Sequence, residues 1–257
     1  MAGRWRLGGR RHGEHRSASR GHRRRGRWCA GSPGGSVSWR PAATVPVSAA
    51  LTTVRVLAVS ARLVVLASGA GTLLQALLDA QRDPGFPGAV VGVFSDRADA
   101  QALVRAGRHG VAGEVVRMAD FADRGAWDRA LADKVAAHRP DLVVLAGFMK
   151  ILGPEFLHRF PGRIINTHPG LLPAYPGAHA VRDALEAGAS ITGASVIWVD
   201  EGVDTGAVLA RTEVPVLDGD DESSLHERIK IVEREMLVRV VSELVRPQRT
   251  SSSGIRT

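Results

Sequence analysis

The strongest constraint on this chain is a series of short, wholly apolar runs, each closed by small or polar residues and followed by an amphipathic stretch. Leu63-Val-Val-Leu-Ala67 is the first, and Ser68-Gly-Ala-Gly-Thr72 breaks it. A strand that is apolar at every position must be covered on both faces, as in a parallel sheet between two helical layers. After the break, Leu74, Leu77 and Leu78 fall on one face of a helix expected over about Leu73–Gln81. Further strands are expected over Ala89–Phe94, Glu114–Arg117 and Leu142–Ala146, with helices over Ala98–Arg108 and Arg124–His138. The second of these helices carries Trp127, Leu131 and Val135 at i, i+4 and i+8. A helical turn near Pro154–Arg159, a strand at Ile164–Ile165 and a helix near Ala178–Ala187 follow. Strands Ile191–Val199 and Ala207–Val216 and a helix over Glu222–Val245 complete the series. Alternating strands and helices predict an α/β fold with a mostly parallel sheet.

Residues 1–53 show neither period and are expected to be disordered. Residues 1–40 hold eleven arginines against Glu14 as the one acid, a charge of +10 in a chain whose formal net charge is +8. Residues 41–257 therefore carry −2, and the basicity belongs to the leading stretch alone. Three readings of that stretch compete: upstream sequence translated from a start codon placed too early, an organellar transit peptide, and a basic nucleic-acid arm. The first fits best, because nothing in the stretch is patterned to pack on a core and the body begins cleanly after it. The division expected is a disordered Arg/Gly/Ser-rich tail over 1–60, one domain over 61–247 and a frayed polar end over 248–257. The one cysteine, Cys29, lies in the tail, so the body has neither a disulfide framework nor a thiolate zinc site. No run of 18 apolar residues is present, which argues against a membrane span.

The most informative stretch is Arg163-Ile-Ile-Asn-Thr-His-Pro-Gly-Leu-Leu-Pro-Ala-Tyr-Pro-Gly177. Extended residues i and i+2 share a face, so Asn166 and His168 aim an amide donor and an imidazole at one point. Pro169, Pro173 and Pro176, with Gly170 and Gly177, then stiffen a turn-rich loop. The plainer reading is that the polar pair only satisfies backbone groups at a strand end. Between strand and helix, Ser68–Thr72 offers backbone N–H groups and a helix dipole to a phosphate. It lacks the third glycine of a dinucleotide fingerprint, since position 74 is Leu, and no Gly-Lys-Ser/Thr of a Walker loop follows. In Asp200-Glu-Gly-Val-Asp-Thr-Gly206, Asp200 and Glu201 read as solvated, whereas Asp204 is the better candidate for a working carboxylate. Asn166, His168 and Asp204 come without a nucleophile, as no Gly-x-Ser-x-Gly elbow is present. Direct acyl transfer suits them: an oxyanion donor, a proton donor or relay, and a carboxylate that orients the ring or collects a proton. Metal binding is disfavoured, because His168 and His179 are eleven residues apart and no HExxH helix occurs.

With Ser68-Gly-x-Gly-Thr72, Val144-Leu-Ala-Gly-Phe-Met149, Asn166-Thr-His-Pro169, Leu171-Leu-Pro-x-Tyr-Pro-Gly177 and Asp200-Glu-x-x-Asp204 in this order, the chain resembles the single-domain bacterial phosphoribosylglycinamide formyltransferases. The resemblance runs from about Leu63 to Val245. It implies a single Rossmann-like formyltransferase domain in the cytoplasm. The reaction it implies moves a formyl group from 10-formyltetrahydrofolate to the amine of 5-phospho-ribosylglycinamide, in purine biosynthesis and without a metal. By the same resemblance Asn166, His168 and Asp204 are catalytic, and Gly71, Thr72 and Leu73 cradle the ribose phosphate. Glu233 would contact the glycinamide substrate. Arg124, Met149, Lys150, Ile151 and Leu152, with Asn166, would form the folate site. The implied partners are these small molecules, with neither nucleic acid nor membrane, and the protein would be a monomer or homodimer. Several positions depart from the pattern. Leu73 replaces an Asn, Ile197 a His beside the catalytic centre, Lys150 an Arg, and Gly170 and Ala174 replace a Ser and a basic or polar residue. The alternatives are a formyltetrahydrofolate hydrolase, a catalytically weak folate- or nucleotide-binding relative and, from the tail alone, a nucleic-acid binder.

Overall fold

The computed structural model describes residues 60–246. The expectations for the basic leading stretch, its early start and the frayed end fall outside the described residues. Seven strands and six helices alternate: β1 (Ala61–Leu66), α1 (Thr72–Ala80), β2 (Gly88–Ser95), α2 (Gln101–Arg108), β3 (Gly113–Val115), α3 (Arg124–Ala137), β4 (Leu142–Leu145), α4 (Pro154–Arg159), β5 (Ile164–His168), α5 (Ala180–Glu186), β6 (Ile191–Trp198), β7 (Val208–Pro215) and α6 (Glu222–Val245). They form one sheet in the order β3-β2-β1-β4-β5-β6-β7. The strands from β3 to β5 in that order run parallel, and β6 and β7 are antiparallel additions.

The apolar runs do what their composition requires. In β1, Leu63 and Val65 join one core layer with Leu74 and Leu77 of α1, Ala102 of α2, and Leu225 and Ile229 of α6. Val64 and Leu66 face the other way, against Trp127 and Leu131 of α3 and Phe156 of α4. Side chains of a strand alternate faces, so a run apolar at every position serves both layers.

Three local differences from the sequence reading have physical causes. β5 does not end at Ile165 but runs on through His168, because β6 pairs with it antiparallel, Asn166 opposite Ile197 and His168 opposite Ser195. α2 starts at Gln101 rather than near Ala98, since the Arg97 side chain bonds Asp99 and Ala100 is extended. A 3₁₀ turn, Met118–Asp120, lies where the sequence shows no period.

Strand order reverses between β1 and β4, so their following loops diverge and leave a crevice at the carboxyl edge of the sheet. Ser68 N–H donates to Gly147 O (3.0 Å) and ties the two exits together at its floor.

Candidate active site

The crevice opens into a cavity of about 560 Å³ lined by the exits of β1, β4 and β5, the β6–β7 loop and one face of α6. On its β1 side, Gly71 is the residue before α1 and takes a left-handed conformation (φ +69°). No side chain caps α1, and Gly69 through Leu73 all line the cavity. The free N–H groups of that first turn are therefore available to an anion. Leu73 offers only its backbone here, because its side chain is buried in the core with Leu74 and Leu77.

Opposite stands the Asn166–His168–Asp204 network. Asp204 Oδ2 lies 3.3 Å from His168 Nδ1 and accepts from Gly177 N–H at 2.8 Å, while Oδ1 accepts from Asn166 Nδ2 at 3.3 Å. His168 is almost wholly buried, and its Nε2 sits 2.9 Å from the Tyr175 carbonyl. Both ring nitrogens thus face acceptors, which fixes the orientation of the ring. The His168 ring beside Asp204, aided by the Gly177 and Asn166 donors, holds the Asp204 carboxyl below the usual carboxylate range against the opposing effect of burial. Tyr175 and Asp204, the two residues that present acceptors to the ring, both have positive φ (54° and 55°). Backbone strain of this kind collects where geometry is functional. Asp200 shapes the loop that carries Asp204, accepting from Gly202 N–H at 3.1 Å and from Thr205 Oγ at 2.7 Å.

The third wall is Met149–Leu152. Met149 and Ile151 are exposed into the crevice although apolar, and Leu152 is buried. The segment is pinned at three points. Met149 N–H donates to Ser68 Oγ (2.8 Å), Arg124 donates to the Ile151 carbonyl, and Asp128 accepts from Gly153 N–H (2.7 Å) and Phe156 N–H (2.9 Å). Lys150 lines the cavity, its Nζ 3.6 Å from Asp96 Oδ2.

The fourth wall is a polar face of α6, with His226, Lys230 and Glu233 at i, i+4 and i+7. Burial pushes the Glu233 carboxyl up to about 7, although His168, Lys230 and Arg234 pull the other way. Burial also pushes the His226 ring down, and Lys230 adds to that.

Of the sequence candidates, Gly71, Thr72, Leu73, Met149, Lys150, Ile151, Leu152, Asn166, His168, Asp204 and Glu233 all line this one cavity. Arg124 is not among the lining residues; it donates to the carbonyl of Ile151, which is. Sequence reasoning missed Lys230 and His226, whose signal was their helical spacing from Glu233. It also missed Asp128, whose partners are distant in sequence.

A family model described as formyl transferase matches residues 61–241. Phosphoribosylglycinamide formyltransferase of Mycobacterium tuberculosis (strain H37Rv) is 57% identical over 184 residues, covering 72% of this chain and 85% of that protein. The protein of the same name from Escherichia coli (strain K12) is 43% identical over 180 residues, covering 70% of this chain and 85% of its own length. Among solved structures, glycinamide ribonucleotide transformylase 1 from Symbiobacterium toebii superposes with a TM-score of 0.71 at 44% identity, covering 72% of this chain and 88% of that one.

Proposed function

The chain belongs to the formyl transferase family, and from that membership we propose that it carries a formyl group from 10-formyltetrahydrofolate to the amine of 5-phospho-ribosylglycinamide, a step of purine biosynthesis. It is a formyltransferase enzyme. The single observation that carries the substrate assignment is the cavity itself. It joins an uncapped helix N-terminus, suited to a phosphate, to a carboxylate–imidazole–amide network and an apolar wall suited to a flat pteridine. In this reading Glu233 on α6 serves the ribosylglycinamide. Met149–Leu152, Lys150 among them, takes the folate.

In the reaction the amine nitrogen attacks the formyl carbon, a C–N bond forms and the carbonyl oxygen becomes an oxyanion. Asn166 Nδ2 has two hydrogens and gives one to Asp204, leaving the second for that oxyanion. The His168 ring, held between Asp204 and the Tyr175 carbonyl, stands beside this centre as a group able to donate or relay a proton. Asp204, kept ionised, fixes both donors and receives a proton from the ammonium formed by attack. The oxyanion then re-forms the carbonyl and the bond to the folate nitrogen breaks; that nitrogen takes the proton Asp204 had collected, which restores the carboxylate, and tetrahydrofolate leaves. The described residues contain no cluster of three or more His, Cys, Asp or Glu able to hold a metal, and the steps above use protein donors alone.

We place the working domain at residues 61–247 and the activity in the cytoplasm, as a monomer or homodimer; no helix among the described residues is long and apolar enough to cross a membrane. A steady-state assay of folate turnover with and without phosphoribosylglycinamide tests the reading. Turnover that depends on that substrate and yields its formyl derivative is expected. Equal turnover without it would mark a hydrolase, and binding of both ligands without transfer would mark an inactive relative.

A further inference from the structure

The glycine loop is held from behind. Gly69 O accepts from Ala102 N–H at 3.1 Å, Ala70 O from Arg105 Nε at 2.8 Å and Gly71 O from Gln75 N–H at 2.9 Å. Three successive carbonyls are thus engaged by α2 or α1. In a trans peptide the C=O and the following N–H point in opposite directions. Drawing the Ala70 carbonyl towards α2 therefore turns the Gly71 N–H the other way, away from α2. Of the three bonds only the one from Arg105 is made by a side chain, so only it varies with residue type. The same guanidinium gives Nη1 to Gln75 Oε1 at 3.1 Å, and Gln75 Nε2 donates to Asp79 Oδ1 at 3.0 Å. One planar fork therefore joins the loop, the first turn of α1 and α2, a geometry that a lysine cannot reproduce. Arg105 itself does not line the cavity.

We propose that Arg105 is a positioning residue for the anionic end of the substrate site, fixing the loop peptides whose N–H groups receive the phosphate. The proposal rests on the reading of this loop as the phosphate site, and the experiment separates the two. For the full chain and its Arg105→Gln and Arg105→Lys variants, kcat, KM for each substrate and the inhibition constant of inorganic phosphate are measured. Arg105→Gln is expected to raise both the KM for phosphoribosylglycinamide and the inhibition constant of phosphate about tenfold, the scale of one charge-assisted hydrogen bond. The kcat and the folate KM are expected to stay within about twofold. Arg105→Lys keeps the charge without the fork and is expected to recover less than half of the loss; it also serves should the Gln variant fold poorly. Full recovery by lysine would reduce the role to charge and overturn the proposal. An unchanged KM in Arg105→Gln, or a kcat that falls and a folate KM that rises alongside it, would overturn it too. If inorganic phosphate fails to compete with phosphoribosylglycinamide on the unaltered chain, the phosphate reading itself is wrong, whatever the variants do.

Discussion

Asp204 on the β6–β7 loop sets its Oδ2 3.3 Å from Nδ1 of His168 on β5, and both groups lie mostly out of water. A carboxylate in that position keeps the ring in place beside the oxyanion site, and its other oxygen orients the Asn166 amide. Removing one oxyanion donor costs on the order of 10²–10³ in rate. Asn166→Ala and His168→Ala are each expected to lower kcat by about that factor, and Asp204→Asn to lower it comparably because both donors lose their anchor. Initial rates at saturating substrates decide the matter, and wild-type turnover in any of the three would remove that residue from the chemistry.

Glu233 supplies a prediction about stability. Its folded value of about 7 lies above the ordinary 4.5, chiefly through burial. The folded protein therefore holds this proton more tightly than the unfolded chain does. By linkage, the contribution to stability is fully present below about pH 4.5 and declines as pH rises through about 7. Glu233→Gln removes the cost of burying the ionised form. In the absence of substrate, the variant is expected to melt at a higher temperature than the unaltered protein at pH 8, with the difference falling away as pH drops below the ordinary 4.5. Paired thermal scans check this, and an equal difference across that range would point to packing instead.

How much of this was legible in the sequence depends on the range of the interaction involved. The core was legible because the alternation that buries Leu63–Leu66 on two sides is local. The glycine loop and the Asn166–His168 pair were legible because their spacing is itself the geometry. The extension of β5 to His168 was not, since it depends on an antiparallel partner about thirty residues away. The bond from the Arg124 guanidinium to the Ile151 carbonyl spans 27 residues, a contact no local pattern announces. Asp204 was expected to orient the His168 ring, but the second acceptor escaped notice, because the Tyr175 carbonyl reaches the ring only through a left-handed backbone.

Asp128 is one such long-range device. Buried on α3, it accepts the N–H groups of Gly153 and Phe156 and so caps α4 while pinning the end of the Met149–Leu152 wall. Asp128→Ala leaves two backbone donors without partners. The expected loss is about 2 kcal/mol or more of unfolding free energy, with a raised KM for the formyl folate and a smaller change in the KM for phosphoribosylglycinamide. Urea denaturation and the two KM values test it. Asp128→Asn keeps one acceptor oxygen and is expected to fall between the two.

Gly71 and Gly110 form a matched pair with which to isolate the tightness of the glycine loop. Both have φ +69°, so an added side chain at either meets the same backbone penalty, about 1–2 kcal/mol. They differ in surroundings. A Cβ at Gly71 would lie 2.7 Å from Ala102 Cα and 2.8 Å from its Cβ, whereas at Gly110 nothing lies within 4 Å. Backbone atoms of a helix cannot swing aside, so α2 must back away from the loop or the loop must move into the cavity. Gly110→Ala is expected to lower stability by the conformational penalty alone and to leave both KM values unchanged. Gly71→Ala is expected to lower stability further and to raise the KM for phosphoribosylglycinamide at least tenfold, with the folate KM affected less. Equal behaviour of the two variants would mean that α2 yields easily and that the loop does not depend on close packing for its shape.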